Sequence, residues 1–411
     1  MNAVIITIGD ELLIGQVIDT NSSWIASELN KTGIAVTKRI AVGDNEEAII
    51  NALQDVPAAD VVIITGGLGP TSDDITKPVL NKYFGGKIIV DEEALKNVKH
   101  IFEVVFKRPL LERNLKQAEV PDVCQVIQNT RGTAPGMVFE KKNTIFISMP
   151  GVPHEMKSMF QSGVIPLLKE RFNIPVLQHR TLMTFGVGES FIAERLIDFE
   201  KALPANIKLA YLPHFGLLRL RLSSTSVEND SETEINIYFD QLKILVKEYL
   251  ISEKDQTIQE LIFNLLQSHN KTLCTAESCT GGYISHLLTL IPGISDYYKG
   301  TIVSYGYEVK EDVLKVKHET LLKEGAVSER TVKEMLIGAI DLLQTDVAIA
   351  VSGIMGPGGG TELKPVGTVW IAVGNKNDIV TRQFQFRYDR KINIEVTALN
   401  ALNMLREFIA S

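Results

Sequence analysis

Residues 275–282 read Thr-Ala-Glu-Ser-Cys-Thr-Gly-Gly and lie between a short apolar run and a segment with helical spacing. The run at 272–275 predicts a strand, and the one-sided apolar spacing over 284–291 predicts a helix packed on a sheet. The turn between them carries a hydroxyl (Ser278) and a thiol (Cys279) side by side. The stretch therefore predicts an α/β fold with reactive side chains at a strand-to-helix turn.

This turn combines candidate nucleophiles with candidate anion donors. Gly281 and Gly282 allow a ligand to approach the backbone closely, and N–H groups at a helix start favour a phosphate or a developing oxyanion. A helix N-terminus can also lower the pKa of a thiol, so Cys279 competes with Ser278 as the nucleophile. The other interpretation of the Ser-Cys pair is a structural helix cap.

A serine nucleophile needs a base. His286 falls two turns along the predicted helix and His318 falls in a charged stretch, so neither is well placed. Tyr305 and Lys310 follow the apolar run at 301–303, at the end of another predicted strand. A lysine in a closed pocket can lose its charge and accept a proton. An ordinary surface lysine is the alternative.

A second glycine-rich loop spans residues 352–361 after a predicted strand. Its glycines, among them Gly353, Gly356 and Gly358, predict close ligand contact because ligands bind beyond the carboxyl ends of such strands. Simple flexibility of the loop is the alternative. Further on, Arg390 could bind a ligand phosphate, or it could belong to a solvated basic surface.

The first 171 residues alternate strand-like runs, Gly- or Pro-rich turns and helical segments. This pattern is typical of a doubly wound α/β domain, in which ligands bind at the carboxyl edge of the sheet. In the turn after the second such run, Gly66, Gly67 and Gly69 predict a phosphate cradle.

Four acidic residues follow predicted strands of the same region, namely Asp10, Glu11, Asp73 and Asp74. They could simply complement helix dipoles. Beside a phosphate, however, carboxylates are repulsive, and a divalent cation between the two removes the conflict. The sequence therefore predicts a hard-metal site, and Glu155 could reach the same edge.

The composition limits the function. A length of 411 residues predicts two or three domains, and a net charge of −8 argues against general nucleic-acid binding. The 3 cysteines are too few and too widely spaced for a disulfide framework or a Cys-x-x-Cys metal site. Without a leader pattern or a spanning apolar stretch, we expect a cytoplasmic protein.

The region from 172 to 252 differs in character. Runs at 180–185 and 217–223 predict strands, and a polar stretch and a helical segment follow them. This region therefore predicts a small α+β module between two larger α/β domains.

The motifs together resemble the competence/damage-inducible protein CinA family, over nearly the whole chain. Those that resemble its molybdopterin-binding-like domain are Gly9-Asp10-Glu11-Leu12-Leu13, Asp19-Thr20-Asn21, residues 65–70 with Asp73-Asp74, residues 132–136 and residues 150–153. Those that resemble nicotinamide-nucleotide amidases are residues 276–282, Tyr305-x₄-Lys310 and residues 352–359. Two positions depart from the family pattern: Tyr388 replaces a common Gly, and Met355 replaces a small residue.

The resemblance implies two α/β sandwich domains joined by the small α+β module. These are a MogA-like, doubly wound domain over 1–171, the module over 172–252 and an amidase domain over 253–411. The amidase domain would deamidate nicotinamide mononucleotide to nicotinate mononucleotide and ammonia without a metal. The N-terminal domain would hydrolyse ADP-ribose to AMP and ribose 5-phosphate with Mg, Mn or Co. A homodimer is implied, whereas membrane association and direct nucleic-acid binding are not expected.

The resemblance also implies roles for single residues. Ser278 would be the nucleophile, with Tyr305 and Lys310 as the proton-handling pair. The implied substrate-binding residues are Thr280, Gly281, Gly282, Gly353, Gly356, Gly358 and Arg390 in the amidase domain and Gly66, Gly67 and Gly69 in the N-terminal domain. Two alternatives stay open, an amidase whose N-terminal domain only binds a nucleotide or pterin, and a non-catalytic partner in competence or recombination.

Overall fold

The computed structural model describes residues 1–56, 59–172, 174, 178–224 and 231–410. They form two compact units. One unit ends at Gln178, and the other combines the middle module with the C-terminal domain. Within these described ranges no helix is both long and apolar enough to cross a bilayer.

The first unit is built on a six-stranded mixed sheet. Its strands are β1 (Asn2–Ile8), β2 (Ala35–Val42), β3 (Val61–Thr65), β6 (Gln125–Ile127), β7 (Gly136–Lys141) and β8 (Thr144–Met149), with a separate pair β4 (Ile88–Val90) and β5 (Glu119–Pro121). The sheet order is β2-β1-β3-β8-β7-β6. The first four are parallel, and β7 and β6 continue the sheet antiparallel.

Helices cover both faces of this sheet, which confirms the doubly wound prediction. They are α1 (Asp10–Leu13), α2 (Thr20–Lys31), α3 (Glu46–Gln54), α4 (Thr76–Phe84), α5 (Glu92–His100), α6 (Glu112–Leu115), α7 (Pro153–Met159) and α8 (Ile165–Arg171). Alternate residues of β1 face opposite layers: Ile6 packs in the core with α3 and α4, and Ile5 packs with α2 and α7. Because central strands such as β1 and β3 are buried on both faces, their sequences are nearly continuous apolar runs.

The middle module has a four-stranded sheet in the order β10-β11-β9-β12. Its elements are β9 (Gln178–Phe185), α9 (Glu189–Arg195), α10 (Ile197–Ala202), β10 (Ile207–His214), β11 (Leu217–Ser224), α11 (Ser231–Leu245) and β12 (Leu250–Ser252). The hairpin β10–β11 turns at Phe215 and Gly216, both with positive φ, as a two-residue turn of this kind requires. Strand β10 was not predicted from the sequence, and only its first residue, Ile207, is buried.

The C-terminal domain has a five-stranded sheet in the order β14-β13-β15-β16-β17. Its strands are β13 (Leu273–Glu277), β14 (Tyr298–Val303), β15 (Val347–Gly353), β16 (Thr368–Gly374) and β17 (Ile379–Gln385). Its helices are α12 (Ile258–Ser268), α13 (Tyr283–Thr289), α14 (Tyr307–Asp312), α15 (His318–Glu324), α16 (Glu329–Leu343) and α17 (Arg390–Ala410). Strand β13 lies parallel between β14 and β15, so the turn after β13 is at the carboxyl edge of the parallel part.

The two faces of this sheet are packed differently. Large aliphatic side chains face α12, α13 and α17, whereas Ala276, Ala348 and Ala350 face α16. Gly338 of α16 is in close contact with the chain before it, since a Cβ on this glycine would lie 1.9 Å from the carbonyl oxygen of Leu314. The small alanine side chains thus let α16 lie close to its face of the sheet, opposite the face that packs against α12, α13 and α17.

We predict that Gly338→Ala destabilises the C-terminal domain. The added methyl group meets a backbone oxygen that cannot rotate away, and overpacking of this kind costs about 1–3 kcal/mol. The expected result is a fall of roughly 3–10 °C in the midpoint of thermal unfolding, followed by circular dichroism. Gly358→Ala is the matched control, because a Cβ there meets no atom within 4 Å. Equal midpoints for the two variants would contradict the prediction.

Candidate functional site

The turn after β13 places Ser278 and Cys279 at the end of a central strand. Strand pairing continues one residue beyond β13, since the N–H of Ser278 donates to the carbonyl of Val351 at 3.0 Å. Gly281 and Gly282 then take φ of +61° and +98°, left-handed values that glycine adopts readily. Helix α13 begins immediately afterwards. The strand–turn–helix arrangement predicted from the sequence is therefore present.

The carboxylate of Glu277 lies fully buried beneath this turn. Its Oε2 accepts hydrogen bonds from Thr280 Oγ1 at 2.7 Å, Gly282 N at 3.0 Å and Ile284 N at 3.1 Å. Its Oε1 accepts from Ser285 N at 2.8 Å and Thr275 Oγ1 at 3.3 Å. An internal carboxylate thus binds the start of α13, where the sequence suggested an external anion.

This arrangement changes which N–H groups can hold an oxyanion. Gly282 donates to Glu277, and Gly281 donates to the carbonyl of Ser278 at 3.2 Å. Both glycines are therefore used inside the turn, in contrast to the role expected from the sequence. The N–H groups of Cys279 and Thr280 donate to no other residue in the described ranges, and they are the remaining candidates.

Lys310 lies against the hydroxyl of Ser278. The lysine side chain is 1% exposed, and its Nζ is 3.0 Å from Ser278 Oγ. The same nitrogen donates to the carbonyl oxygens of Ser304 and, at 3.4 Å, Tyr305. Burial lowers the pKa of Lys310 below its ordinary value, because an ammonium group loses hydration there. A neutral Lys310 can direct two N–H groups to the carbonyls and its lone pair to Ser278.

Tyr305 is placed differently from the sequence expectation. Its backbone carbonyl faces Lys310, but its side chain is largely exposed and its hydroxyl accepts a hydrogen bond from Arg390 Nη2 at 2.9 Å. Arg390 also donates through Nη1 to the carbonyl of Gly356 at 2.8 Å. Tyr305 and Arg390 therefore join β14 to the second glycine loop at the rim of the site.

The three glycines singled out in the second loop have different reasons to be glycine. A Cβ on Gly353 would lie 2.7 Å from Val369, and one on Gly356 would lie 2.7 Å from Val366. Gly356 also has a φ of +87°. A Cβ on Gly358 would meet nothing within 4 Å. Packing and backbone conformation account for the first two, and Gly358 borders open space where a ligand can approach.

Cys279 is part of the apolar core of the C-terminal domain. Burial raises the pKa of its thiol to about 12. The thiol therefore stays protonated near neutral pH and cannot serve as a thiolate nucleophile. Of the two adjacent candidates, only Ser278 has a basic side chain within hydrogen-bonding distance in the described structure.

A cavity of about 530 Å³ opens at the carboxyl edge of the N-terminal sheet. Its wall contains the three glycines predicted as a phosphate cradle, Gly66, Gly67 and Gly69. A Cβ on Gly67 would lie 2.1 Å from the Thr76 hydroxyl, which is buried and has no hydrogen-bond partner among the described residues. This hydroxyl lies behind the backbone of Gly67, and Thr76 is not among the residues that line the cavity.

Two of the four predicted metal ligands, Asp10 and Asp74, already accept hydrogen bonds within the domain, and three of the four line the cavity. Asp10 and Asp44 exchange backbone N–H to carboxylate hydrogen bonds of 3.1 Å. Asp74 accepts from Thr71 N at 2.9 Å. Glu11, Asp44, Asp73 and Asp74 line the cavity. Within the described ranges, no three His, Cys, Asp or Glu side chains are grouped closely enough to hold a metal ion.

Asp44 was not predicted as a site residue from the sequence. The structure places it in the wall of the cavity. Its pKa is raised, first by burial and then by repulsion from the carboxylates of Asp10, Glu11 and Asp73. The cavity thus carries an excess of negative charge close to its glycine wall. Glu155 also lines it and accepts a hydrogen bond from Asn129 Nδ2 at 2.7 Å.

Three family models match the chain end to end. They are a probable molybdopterin binding domain over 4–170, a damage-inducible protein CinA KH domain over 179–252 and a CinA C-terminal domain over 255–409. A CinA-like protein from Flavobacterium psychrophilum is 44% identical over 98% of both chains, and one from Cytophaga hutchinsonii is 42% identical over 98% of this chain and 97% of its own. The chain belongs to the CinA family.

A solved structure is similar to part of this CinA-family chain. It is a competence-damaged protein (CinA) superfamily protein from Klebsiella pneumoniae, with 36% sequence identity and a TM-score of 0.37. The match covers 38% of this chain and 99% of the Klebsiella chain.

Two groups of the CinA C-terminal domain were not predicted as functional. Glu277 belongs to the motif over 276–282, which by itself assigns this residue no role, and the sequence carries no mark of the carbonyl oxygens of Ser304 and Tyr305. The only sequence signal for Glu277 was an acidic residue at the end of an apolar run, where burial normally requires several hydrogen-bond donors. The spacing of the lysine from the strand end did indicate the base candidate Lys310.

Proposed function

We propose that the C-terminal domain deamidates nicotinamide mononucleotide to nicotinate mononucleotide and ammonia. The observation that carries this proposal is the distance of 3.0 Å between Lys310 Nζ and Ser278 Oγ, both in buried side chains. A hydroxyl beside a buried amine is a recognised form of activated nucleophile. The substrate follows from family membership and from the resemblance of the motifs to nicotinamide-nucleotide amidases.

The first chemical step is an attack by Ser278 on the carboxamide carbon. Neutral Lys310 takes the hydroxyl proton as the Oγ–C bond forms, and it becomes an ammonium ion. The carbonyl oxygens of Ser304 and Tyr305 already face its nitrogen and stabilise this charge. The carbonyl oxygen of the substrate becomes an oxyanion, for which the N–H groups of Cys279 and Thr280 are the free donors.

Collapse of this intermediate breaks the C–N bond. Lys310 returns its proton to the leaving nitrogen, which departs as ammonia and leaves an ester on Ser278. Water then attacks the ester with Lys310 again acting as the base, and the acid and the free hydroxyl are released. The sum is amide plus water to acid plus ammonia, with one lysine serving both half-reactions.

The phosphate end of the nucleotide needs a cation and open backbone. Arg390 supplies the cation at the rim, where its hydrogen bonds to Gly356 and Tyr305 fix the guanidinium plane. Gly358 borders open space beside it. The helix N-terminus of α13 is unsuited to a phosphate, since the carboxylate of Glu277 already occupies it.

We predict that Ser278→Ala lowers ammonia release from nicotinamide mononucleotide by at least about 10³-fold, because no other group can form the ester. Cys279→Ala should keep most of the activity, since its thiol only packs in the core. A coupled ammonia assay on purified full-length variants measures both. Loss in Cys279→Ala with full activity in Ser278→Ala would reverse the assignment. No ammonia from the wild type would favour the non-catalytic alternative.

The pH dependence should report the base. Lys310 acts in its neutral form, so kcat/KM is low below its pKa and rises to a plateau above it. Because burial lowers this pKa, the rise should be centred below 10.5, the ordinary lysine value. Rates measured from pH 6 upward give the midpoint. Lys310→Arg should abolish activity, and the exposed Lys299→Arg should leave the profile unchanged. A midpoint at or above the ordinary value would contradict a buried neutral lysine.

We propose a second activity for the N-terminal domain, the hydrolysis of ADP-ribose to AMP and ribose 5-phosphate. The observation that favours it is the cavity with a glycine wall and several carboxylates. The glycine turn would bind phosphate oxygens. A cavity of about 530 Å³ can hold a nucleotide-sized ligand.

The donor set of this cavity suits a hard divalent cation such as Mg, Mn or Co. Carboxylate oxygens are the ligands that such ions prefer, and the mutual repulsion that raises the pKa of Asp44 would be relieved by a positive charge. Because no three of the described carboxylates are grouped closely enough to bind a metal by themselves, one or two of Glu11, Asp44 and Asp73 would hold the ion together with phosphate oxygens of the ligand. When bound, it would neutralise the pyrophosphate charge that the carboxylates otherwise repel.

We predict that AMP release from ADP-ribose requires a divalent cation and is strongly reduced in Asp44→Asn and Glu11→Gln. Each change removes a negative oxygen from the cavity without altering side-chain size. Chromatographic quantification of AMP, with and without EDTA, measures the effect. Asp55→Asn is the control, because Asp55 pairs with Lys38 on the surface. Unchanged AMP release in both cavity variants would contradict the role assigned to these carboxylates, and no AMP release from the wild type would leave only a ligand-binding role for this domain.

A further inference from the structure

The hairpin β10–β11 of the middle module contacts the C-terminal domain with its tip. The ring of Phe215 meets the ring of Tyr388 edge to face, with centroids 6.0 Å apart. His214 Nε2 lies 3.3 Å from Glu395 Oε1 on α17. Phe215 also packs against the apolar core of the C-terminal domain. The tip therefore has three kinds of contact with the region where α17 begins.

Phe215 has an unusual backbone conformation for its residue type. Its φ is +39°, a left-handed value that glycine or asparagine adopts more readily than an aromatic residue. Such conformations persist where the surrounding structure holds them, and they often occur at functional positions. The hairpin thus carries a large aromatic ring at this position, and that ring contacts Tyr388 of the C-terminal domain.

Tyr388 in turn is fixed to the second glycine loop. The fully buried Asn393 accepts a hydrogen bond from Tyr388 N at 3.2 Å and donates through Nδ2 to the carbonyl of Tyr388 at 2.9 Å. The same Nδ2 donates to the carbonyl of Met355 at 3.1 Å. One buried amide therefore connects Tyr388 with Met355 of the loop.

Arg390 follows Tyr388 by two residues and binds both sides of the rim. Its hydrogen bonds reach the carbonyl of Gly356, next to Met355, and the hydroxyl of Tyr305. A continuous set of contacts thus leads from the hairpin tip through Tyr388 and Asn393 to the guanidinium group. Movement of the Tyr388 ring would shift the backbone that carries this cation.

We propose that the hairpin tip of the middle module is a positioning element of the amidase site, with Phe215 acting through Tyr388 to hold Arg390 in place for the substrate phosphate. This inference rests on the proposed deamidation of nicotinamide mononucleotide. It assigns the module a part in recognising the phosphate end of the substrate. The chemistry at Ser278, in the turn after β13, and at Lys310, on α14, should not be affected, because the hydrogen bonds of Lys310 reach Ser278, Ser304 and Tyr305 rather than Tyr388.

The test compares Phe215→Ala with wild type on two substrates. With nicotinamide mononucleotide, KM should rise about threefold to tenfold, the range expected for one lost aromatic pair, while kcat stays nearly the same. With nicotinamide riboside, which lacks the phosphate, kcat/KM should be unchanged. A general loss of structure would lower activity on both substrates, so the nucleoside distinguishes positioning from misfolding.

Two further variants sharpen the test. Tyr388→Ala removes the same contact from the other side, should raise KM by a similar factor, and keeps the test available if Phe215→Ala does not fold. The double variant should be no worse than either single one, because the two rings act as one unit. Phe191→Ala is the matched control. It removes an aromatic contact of similar geometry within the module, because the ring centroids of Phe191 and Tyr249 lie 6.1 Å apart.

The possible outcomes separate the two proposals. Ammonia release by the wild type with an unchanged KM in Phe215→Ala and Tyr388→Ala would overturn the positioning role and leave the amidase intact. An equal KM increase in Phe191→Ala, or an equal loss on the nucleoside, would also overturn it, as a sign of general loosening. No ammonia release from wild type with either substrate would remove the proposed function, and the inference with it.

Discussion

The buried carboxylate of Glu277 is the interaction on which the C-terminal site depends. Six hydrogen bonds, from its own strand, the following turn, the start of α13 and Thr301, compensate its burial, as a charge without water requires. Because these bonds use the N–H groups at the start of α13, they fix the path of the chain around Ser278. They also leave the N–H groups of Cys279 and Thr280 pointing to no internal acceptor within the described residues. The position of the Ser278 hydroxyl and the choice of oxyanion donors therefore both follow from the buried carboxylate of Glu277, which is held by these hydrogen bonds.

The two compact units use the same edge of a parallel sheet in different ways. In the C-terminal domain, the glycine turn is filled by its own carboxylate, and the resulting closed turn presents a single reactive hydroxyl. In the N-terminal domain, Gly66 and Gly67 line a cavity that stays open, and carboxylates such as Glu11 lie in its wall. A closed turn suits a covalent reaction at one atom, whereas an open one suits the binding of a large charged ligand. The fold family of each half thus determines where the site lies, and the local carboxylates determine what it can bind.

Much of this arrangement could be predicted from the sequence, because strands buried on both faces leave clear apolar runs and their turns are marked by glycine. The Ser278 turn and the spacing to Lys310 are local features of that kind. The direction of the Tyr305 side chain could not be predicted, since it depends on how the chain leaves β14. The role of Glu277 required knowing which backbone groups surround it. The grouping of the middle module with the C-terminal domain depends on contacts between distant residues such as Phe215 and Tyr388, which periodicity does not reveal.

The geometry around Lys310 has a stereochemical consequence. A tetrahedral nitrogen has one bond to its own side chain and three remaining directions, and here these point to Ser278, Ser304 and Tyr305. The lysine therefore cannot turn its lone pair elsewhere without breaking a contact to a carbonyl. In the proposed reaction, the hydroxyl of Ser278 would lose its proton from one side only. A planar carboxamide held above it would be attacked on a single face. The new four-bonded carbon would form with one handedness, although neither the amide before it nor the acid after it is chiral at that atom.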